Sequence, residues 1–188
     1  ALISTDGGLY FSNDNLETVQ NISINGLGVS QYYSTYTKRT FPYNVYAGSQ
    51  DQGFQRSIAP GQEGVFDFIQ SISGDYGHLS SGDGGETIWC NYPGFTLYYG
   101  NPATGGGSLS LDFPGSGHLW LAPLIEDPYN PNQAYLAGGG LSGGNHLFHL
   151  TAGSGSITYT EESYSFNNTV SAMGYSSIEP NNRYVLTY

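Results

Sequence analysis

Positive charge is scarce in this chain of 188 residues: four Lys and Arg stand against fifteen Asp and Glu, a formal net charge of -11. A phosphate backbone or an anionic membrane surface would repel such a molecule, so nucleic acid is excluded as an expected partner. Cysteine is almost missing too. Cys90 stands alone, which rules out an internal disulfide, and with no base near it in sequence it reads as a small buried apolar group. No apolar run approaches the ~20 residues of a membrane helix, so no membrane insertion is expected. Helix-forming stretches are also few. The longest segments free of Gly and Pro, 29–41 and 157–173, are crowded with β-branched, aromatic and hydroxyl side chains, which favour strands. An initiating Met and a signal-like stretch are lacking, and the chain reads as a piece of something longer.

What is present is glycine and aromatic surface. Twenty-eight glycines and seventeen tyrosines, within an aromatic share of 15%, describe many short strands joined by sharp turns. Period-two alternation in "HLWLA" (118–122) and "NHLFHL" (145–150), with "VFDFIQ" (65–70), supplies strand candidates. The expected class is all-β. An acidic turn keeps returning beside them, in "STDGGLY" (4–10), "SQDQG" (49–53) and "SGDGGETIW" (81–89). Glycine reaches positive φ without steric cost, and Asp or Ser accepts bonds from turn amides that lack a ladder partner. On that reading Asp6, Asp14, Asp51 and Asp83 are architectural.

A repeat underlies the pattern. "PYNVYAGSQDQG" (42–53), "PNQAYLAGGGLSGG" (131–144) and "PNNRYVLTY" (180–188) share a Pro and Asn turn followed by a strand centred on Tyr46, Tyr135 or Tyr184. The first spacing is about twice the second, which places a diverged copy at "GFTLYYGNPATGG" (94–106), with Tyr98 or Tyr99 as the equivalent. The resulting period of roughly 40 to 50 residues suits four-stranded propeller blades. The expectation is a β-propeller segment of about four blades, at 1–40, 41–90, 91–130 and 131–179, with a further blade starting at 180–188. An open fan leaves edges and apolar faces in water, so completion by remaining blades or another chain is expected.

"STDGGLYFSNDNLETV" (4–19) resembles the BNR or Asp-box propellers, in which a strand leads into Ser-x-Asp-x-Gly-x-Thr-Trp. Ser12, Asp14 and Thr18 match, with Leu16 at the glycine position and Val19 at the tryptophan. Ser81, Asp83, Gly85 and Thr87 match again, with Trp89 one place late. The resemblance to sortilin-like and xyloglucanase-like members implies an extracellular or cell-surface protein, bacterial in origin, that recognises glycans or proteins or acts as a scaffold. Its alternative implication is a glycoside hydrolase working with paired carboxylates. In the xyloglucan-cleaving type a catalytic aspartate lies in a "TDxGGxY" stretch, so "STDGGLY", one residue shorter, makes Asp6 the candidate. Sialidase chemistry is disfavoured, because Arg39, Arg56 and Arg183 fall in different repeats. Tyr32, Tyr33, Trp89, Tyr99 and Trp120, with Tyr36 and Tyr98, are candidates for stacking on sugar rings, although blade aromatics more often pack between blades. No metal-ligand spacing is evident and no cofactor is expected. Calcium is the cation that carboxylate turns at Asp14, Asp83 or Glu126 with Asp127 would take.

Overall fold

The computed structural model describes residues 1–5, 8–22, 30–58, 67–139 and 145–188. They form two units, Ala1–Gln31 and Tyr32–Tyr188. The first unit is a three-stranded antiparallel sheet of β1 (Leu2–Thr5), β2 (Gly8–Phe11) and β3 (Gln20–Asn21), in that order.

The second unit is a succession of antiparallel meanders. β4 (Tyr32–Thr37), β5 (Val45–Ser49), β6 (Gly53–Ser57) and β7 (Phe68–Ile72) form one sheet of four strands. β8 (Leu79–Ser80), β9 (Thr87–Tyr92), β10 (Phe95–Gly100) and β11 (Ser108–Asp112) form the next, with a short 3-10 turn at Pro102–Thr104. β12 (Leu124–Glu126), β13 (Gln133–Leu136), β14 (Phe148–Ala152) and β15 (Ile157–Glu161) form the third. β16 (Val170–Tyr175) and β17 (Arg183–Thr187) pair as a hairpin. The expected all-β class of four-stranded meanders is what the chain adopts. Tight turns make it possible: at Gly53, φ is 75° and an added Cβ would lie 1.9 Å from the Ile72 carbonyl oxygen.

Consecutive sheets pack face to face. Tyr46, Phe54, Ile88, Cys90, Leu97 and Tyr99 fill the space between the β4–β7 and β8–β11 sheets. Trp89, Leu124, Leu136, Phe148, Leu150 and Ile157 fill the space between β8–β11 and β12–β15. Strand β9 shows the period-two logic on both faces, because Ile88 and Cys90 enter one core and Trp89 the other. First strands lie beside first strands. The Leu79 amide donates to Ser34 Oγ at 3.1 Å, and the Glu126 amide to Ser80 Oγ at 3.1 Å.

The sheets shift the repeat relative to the sequence reading. Divisions after residues 40, 90 and 130 each fall within a sheet instead of between sheets. Tyr46, Tyr135 and Tyr184 do occupy equivalent second strands, β5, β13 and β17, but Tyr98 and Tyr99 lie in a third strand, β10. The second-strand counterpart in that sheet is Trp89. "HLWLA" is not a strand either. It forms the connection before β12, where the Leu119 amide donates to the Gly138 carbonyl at 2.8 Å and the Leu121 side chain fills the space beside Gly77. Its alternation comes from side chains plugging gaps, without a ladder.

Candidate recognition surface

In each sheet of the second unit the loop from first to second strand closes on itself. Three of these loops share one closing bond: the amides of Lys38, Asp127 and Ser176 donate to the carbonyls of Asn44, Gln133 and Asn182 at 2.8, 2.8 and 3.0 Å. The fourth loop, 81–86, is an acidic turn. Ser81 Oγ donates to Asp83 Oδ1 at 2.9 Å and accepts from the Gly85 amide at 2.8 Å. Asp83 then accepts from the Thr87 amide at 3.0 Å and the Thr87 hydroxyl at 2.9 Å. Residues 12–18 of the first unit repeat the network. Ser12 Oγ donates to Asp14 Oδ1 at 2.8 Å and accepts from the Leu16 amide at 3.0 Å, and Asp14 accepts from the amide and hydroxyl of Thr18. Gly84 and Gly85 have φ 76° and 97°, and at the matching positions Asn15 and Leu16 have φ 58° and 72°. At Asp51 the backbone also turns at positive φ, 59°, and its amide donates to Asp75 Oδ1 at 2.7 Å.

Neighbouring loops are laced together. The Arg39 amide donates to the Gly84 carbonyl at 2.7 Å, and Thr40 Oγ1 to Glu86 Oε1 at 2.7 Å. Buried Lys38 places Nζ 3.0 Å from Glu86 Oε1. Bonds from Thr40 and Lys38 hold the Glu86 carboxyl below its ordinary range. Aromatics from second strands reach into the next loop along: the Tyr46 hydroxyl donates to the Gly85 carbonyl at 3.2 Å, and Trp89 Nε1 to the Pro131 carbonyl at 2.9 Å. Burial raises the Tyr46 phenol pKa and keeps it a donor. Arg183 completes the series, with its guanidinium 4.4 Å from the Tyr135 ring centroid and Nη2 3.1 Å from Asp127 Oδ2. Asp127 Oδ1 accepts from the amides of Tyr129 and Asn130, and Tyr175 donates its hydroxyl to Glu126.

Large apolar side chains stand out from these braced loops. Phe41 is 75% exposed and Tyr129 62%, while Ile178 reaches 86%. Tyr43 is exposed as well, and its ring meets Phe41 edge-on at 6.1 Å. The sequence reading missed all four. The available signal was an apolar residue within two positions of a proline in a turn, in "FPYN" (41–44), "DPYN" (127–130) and "IEP" (178–180), where no strand alternation could bury it.

The residues singled out from sequence scatter. Trp89 is wholly buried and Tyr99 nearly so, the latter edge-on to Phe54 at 5.3 Å. Neither offers a face to a sugar ring, because each fills the gap between two sheets. Tyr32 is exposed on β4, with its hydroxyl 3.4 Å from Gln55 Oε1, and Tyr33 is half-buried beside it. Trp120 is 61% exposed on the connection before β12. Among the described residues no hydrogen bond or ring contact joins Tyr32 or Tyr33 to Trp120. Asp6 lies outside the described residues. Among the described residues no three His, Cys, Asp or Glu side chains cluster as metal ligands. The oxygens of Asp14, Asp83 and Asp127 are spent on turn amides, hydroxyls and Arg183.

Neither a protein-family model nor a curated protein sequence matches the chain. Solved structures do. The chain is similar to the Cps50 (Swd1) β-propeller domain of Myceliophteria thermophila at 13% identity and a TM-score of 0.57, covering 78% of this chain and 46% of that one. It is similar to a chain of a crystallised mitotic checkpoint complex at 13% identity and a TM-score of 0.55, covering 83% of this chain and 46% of the other. The chain therefore spans under half the length of each. Likeness at this identity establishes the fold, a β-propeller architecture of radially repeated four-stranded meanders.

Proposed function

We propose that this chain is a propeller module for recognition or scaffolding, and that it binds a protein partner through the laced first-to-second-strand loops. The observation that carries this reading is the set of exposed apolar side chains on these loops: Phe41, Tyr43 and Tyr129 stand on loops bonded to a neighbouring sheet, and Ile178 on a loop closed by its own bonds to Ser176. Aromatic anchors on a pre-ordered surface lose little conformational entropy on binding, which favours hot-spot contacts with a protein. The duplicated Ser-Asp-Thr turns at 12–18 and 81–87 support kinship with the BNR and Asp-box propellers, and through that kinship an extracellular or cell-surface setting. Further blades or another chain complete the ring.

The test compares the wild-type protein with a Phe41→Ser/Tyr129→Ser/Ile178→Ser variant. Protein partners are captured and identified, and a glycan array is probed in parallel. The expected outcome is a defined protein partner lost by the triple variant, with no glycan bound. A partner retained equally by the variant contradicts the loop surface. Glycan binding abolished by Trp120→Ala transfers recognition to sugars, and sugar release from xyloglucan or β-glucans, lost in Asp6→Ala, makes the protein a hydrolase.

A further inference from the structure

The connection from β11 to β12, residues 113–123, joins two complete four-stranded sheets, so its surroundings are set within the chain. His118 is packed into it. Its ring meets the Phe113 ring at 4.6 Å, and Nε2 lies 2.7 Å from the Pro114 carbonyl oxygen. A carbonyl only accepts, so Nε2 carries the proton and Nδ1 is a bare acceptor. That nitrogen is buried, and no donor reaches it among the described residues. Glycine covers it: a Cβ on Gly139 would lie 2.3 Å from Nδ1 and 2.2 Å from Cγ. Beside the ring, the Leu119 amide donates to the Gly138 carbonyl at 2.8 Å. Gly115 and Gly117, at φ 75° and 71°, supply a pivot just before it.

The neutral ring fits this place and the protonated ring does not. A proton on Nδ1 would aim an N–H bond at a glycine methylene, with no acceptor to receive it. Among the described residues no ion pair joins His118 to a carboxylate. Asp112, at the end of β11, is exposed to water, and Gly138, Gly139 and residues 140–144 carry no ionisable side chain. His78 also adjoins the connection, next to Gly77, beside which Leu121 packs. Burial holds both imidazoles below their ordinary 6.5.

We propose that His118 is a proton-operated latch: neutral, it holds the 113–123 connection down on Gly138 and Gly139, and protonated, it swings out and frees the connection. Trp120, two residues on and already 61% exposed, moves with it. The sheets themselves stay standing. Only the open connection takes up the proton at the ordinary 6.5, so the latch is fully effective above that pH and is lost as pH falls through the lowered value. From about pH 7.5 to about pH 5 the open fraction rises by up to about 30-fold. The latch is separate from the first-to-second-strand loops, so each reading can fail without the other.

The test follows the Leu119 amide of the intact chain by NMR hydrogen exchange, with protection corrected for the intrinsic effect of pH. Protection is expected to fall about tenfold or more from about pH 7.5 to about pH 5, while the Trp89 indole stays slow throughout. In His118→Gln, whose amide can still donate to Pro114 but takes no proton, the fall is expected to vanish. In His78→Gln it is expected to persist. Imidazole nitrogen shifts of the wild type give a check that needs no variant: an Nε2–H ring with a midpoint below 6.5. Equal protection of Leu119 at the two pH values overturns the proposal, as does a fall that survives in His118→Gln or disappears in His78→Gln. Simultaneous loss of Trp89 protection also overturns it, because the sheets then part as a whole. So does a His118 midpoint at 6.5 or above.

Discussion

The indole Nε1 of Trp89 donates to the Pro131 carbonyl at 2.9 Å, which ties the second strand of one sheet to the loop of the next. Tyr46 makes the same kind of bond one sheet earlier, to Gly85 at 3.2 Å. Each ring contributes buried area and orientation together. Removing the Tyr46 hydroxyl leaves a buried carbonyl without its donor, so Tyr46→Phe is expected to cost about 1–3 kcal/mol. Trp89→Ala removes the ring as well and is expected to cost about 3–5 kcal/mol. Urea unfolding curves check both values, and a Tyr46→Phe loss near zero would show that water replaces the bond.

The paired acidic turns give a comparison within one molecule. Leu16 holds φ 72° where the second turn has Gly85 at φ 97°. A non-glycine residue in this left-handed region costs roughly 1–2 kcal/mol, partly offset by the greater chain entropy that glycine loses on folding. Leu16→Gly is therefore expected to stabilise its turn by about 0.5–1 kcal/mol. Gly85→Ala is expected to destabilise, since its Cβ would also come within 3.0 Å of Lys38 Cα. Amide exchange at Thr18 and Thr87 reads the two effects separately.

The bonds from Thr18 and Ser12 hold the Asp14 carboxyl at about 2, against an ordinary 3.8. The folded-state value is the depressed one. Its stabilising contribution is thus complete above pH 3.8 and is lost as pH falls towards 2. Carbon-detected NMR titration should place the Asp14 midpoint near 2. Thr18→Ala should move it up towards the ordinary value, and an unchanged midpoint would dismiss the hydroxyl as the cause.

Cys90 is wholly buried between the β4–β7 and β8–β11 sheets, and burial pushes its thiol pKa up. A neutral, shielded thiol does not attack. Native protein should leave Ellman's reagent colourless, with the thiol appearing only as denaturant unfolds the second unit. Rapid reaction without unfolding would mean that the two sheets open locally.

How far the sequence could be read depended on what each signal reports. Glycine and proline punctuation reports turns, and it located the second-strand tyrosines Tyr46, Tyr135 and Tyr184 without marking where one sheet ends and the next begins. Where the loop is an acidic turn without the Pro and Asn pair, as before Trp89, that anchor disappears and the repeat slips by one strand to Tyr98 or Tyr99. The Ser, Asp and Thr spacing at 12–18 and 81–87 was legible because the network is local in sequence. Alternation reports that a strand has two faces, and in stacked sheets both are covered. It therefore could not separate Trp89, which is buried, from Trp120, which is exposed. Lacing between loops, such as Lys38 with Glu86, depends on partners in different sheets and leaves no local pattern.

The stacking of consecutive sheets can be tested on two signals. The chain has two tryptophans, and their indole N–H resonances are resolved from the backbone in a proton–nitrogen spectrum. Hydrogen exchange of these two protons should give one slow signal, from Trp89, with a nuclear Overhauser effect to Pro131, and one fast signal, from exposed Trp120. Fast exchange of both, or protection of Trp120 in place of Trp89, would contradict face-to-face packing of the β8–β11 and β12–β15 sheets.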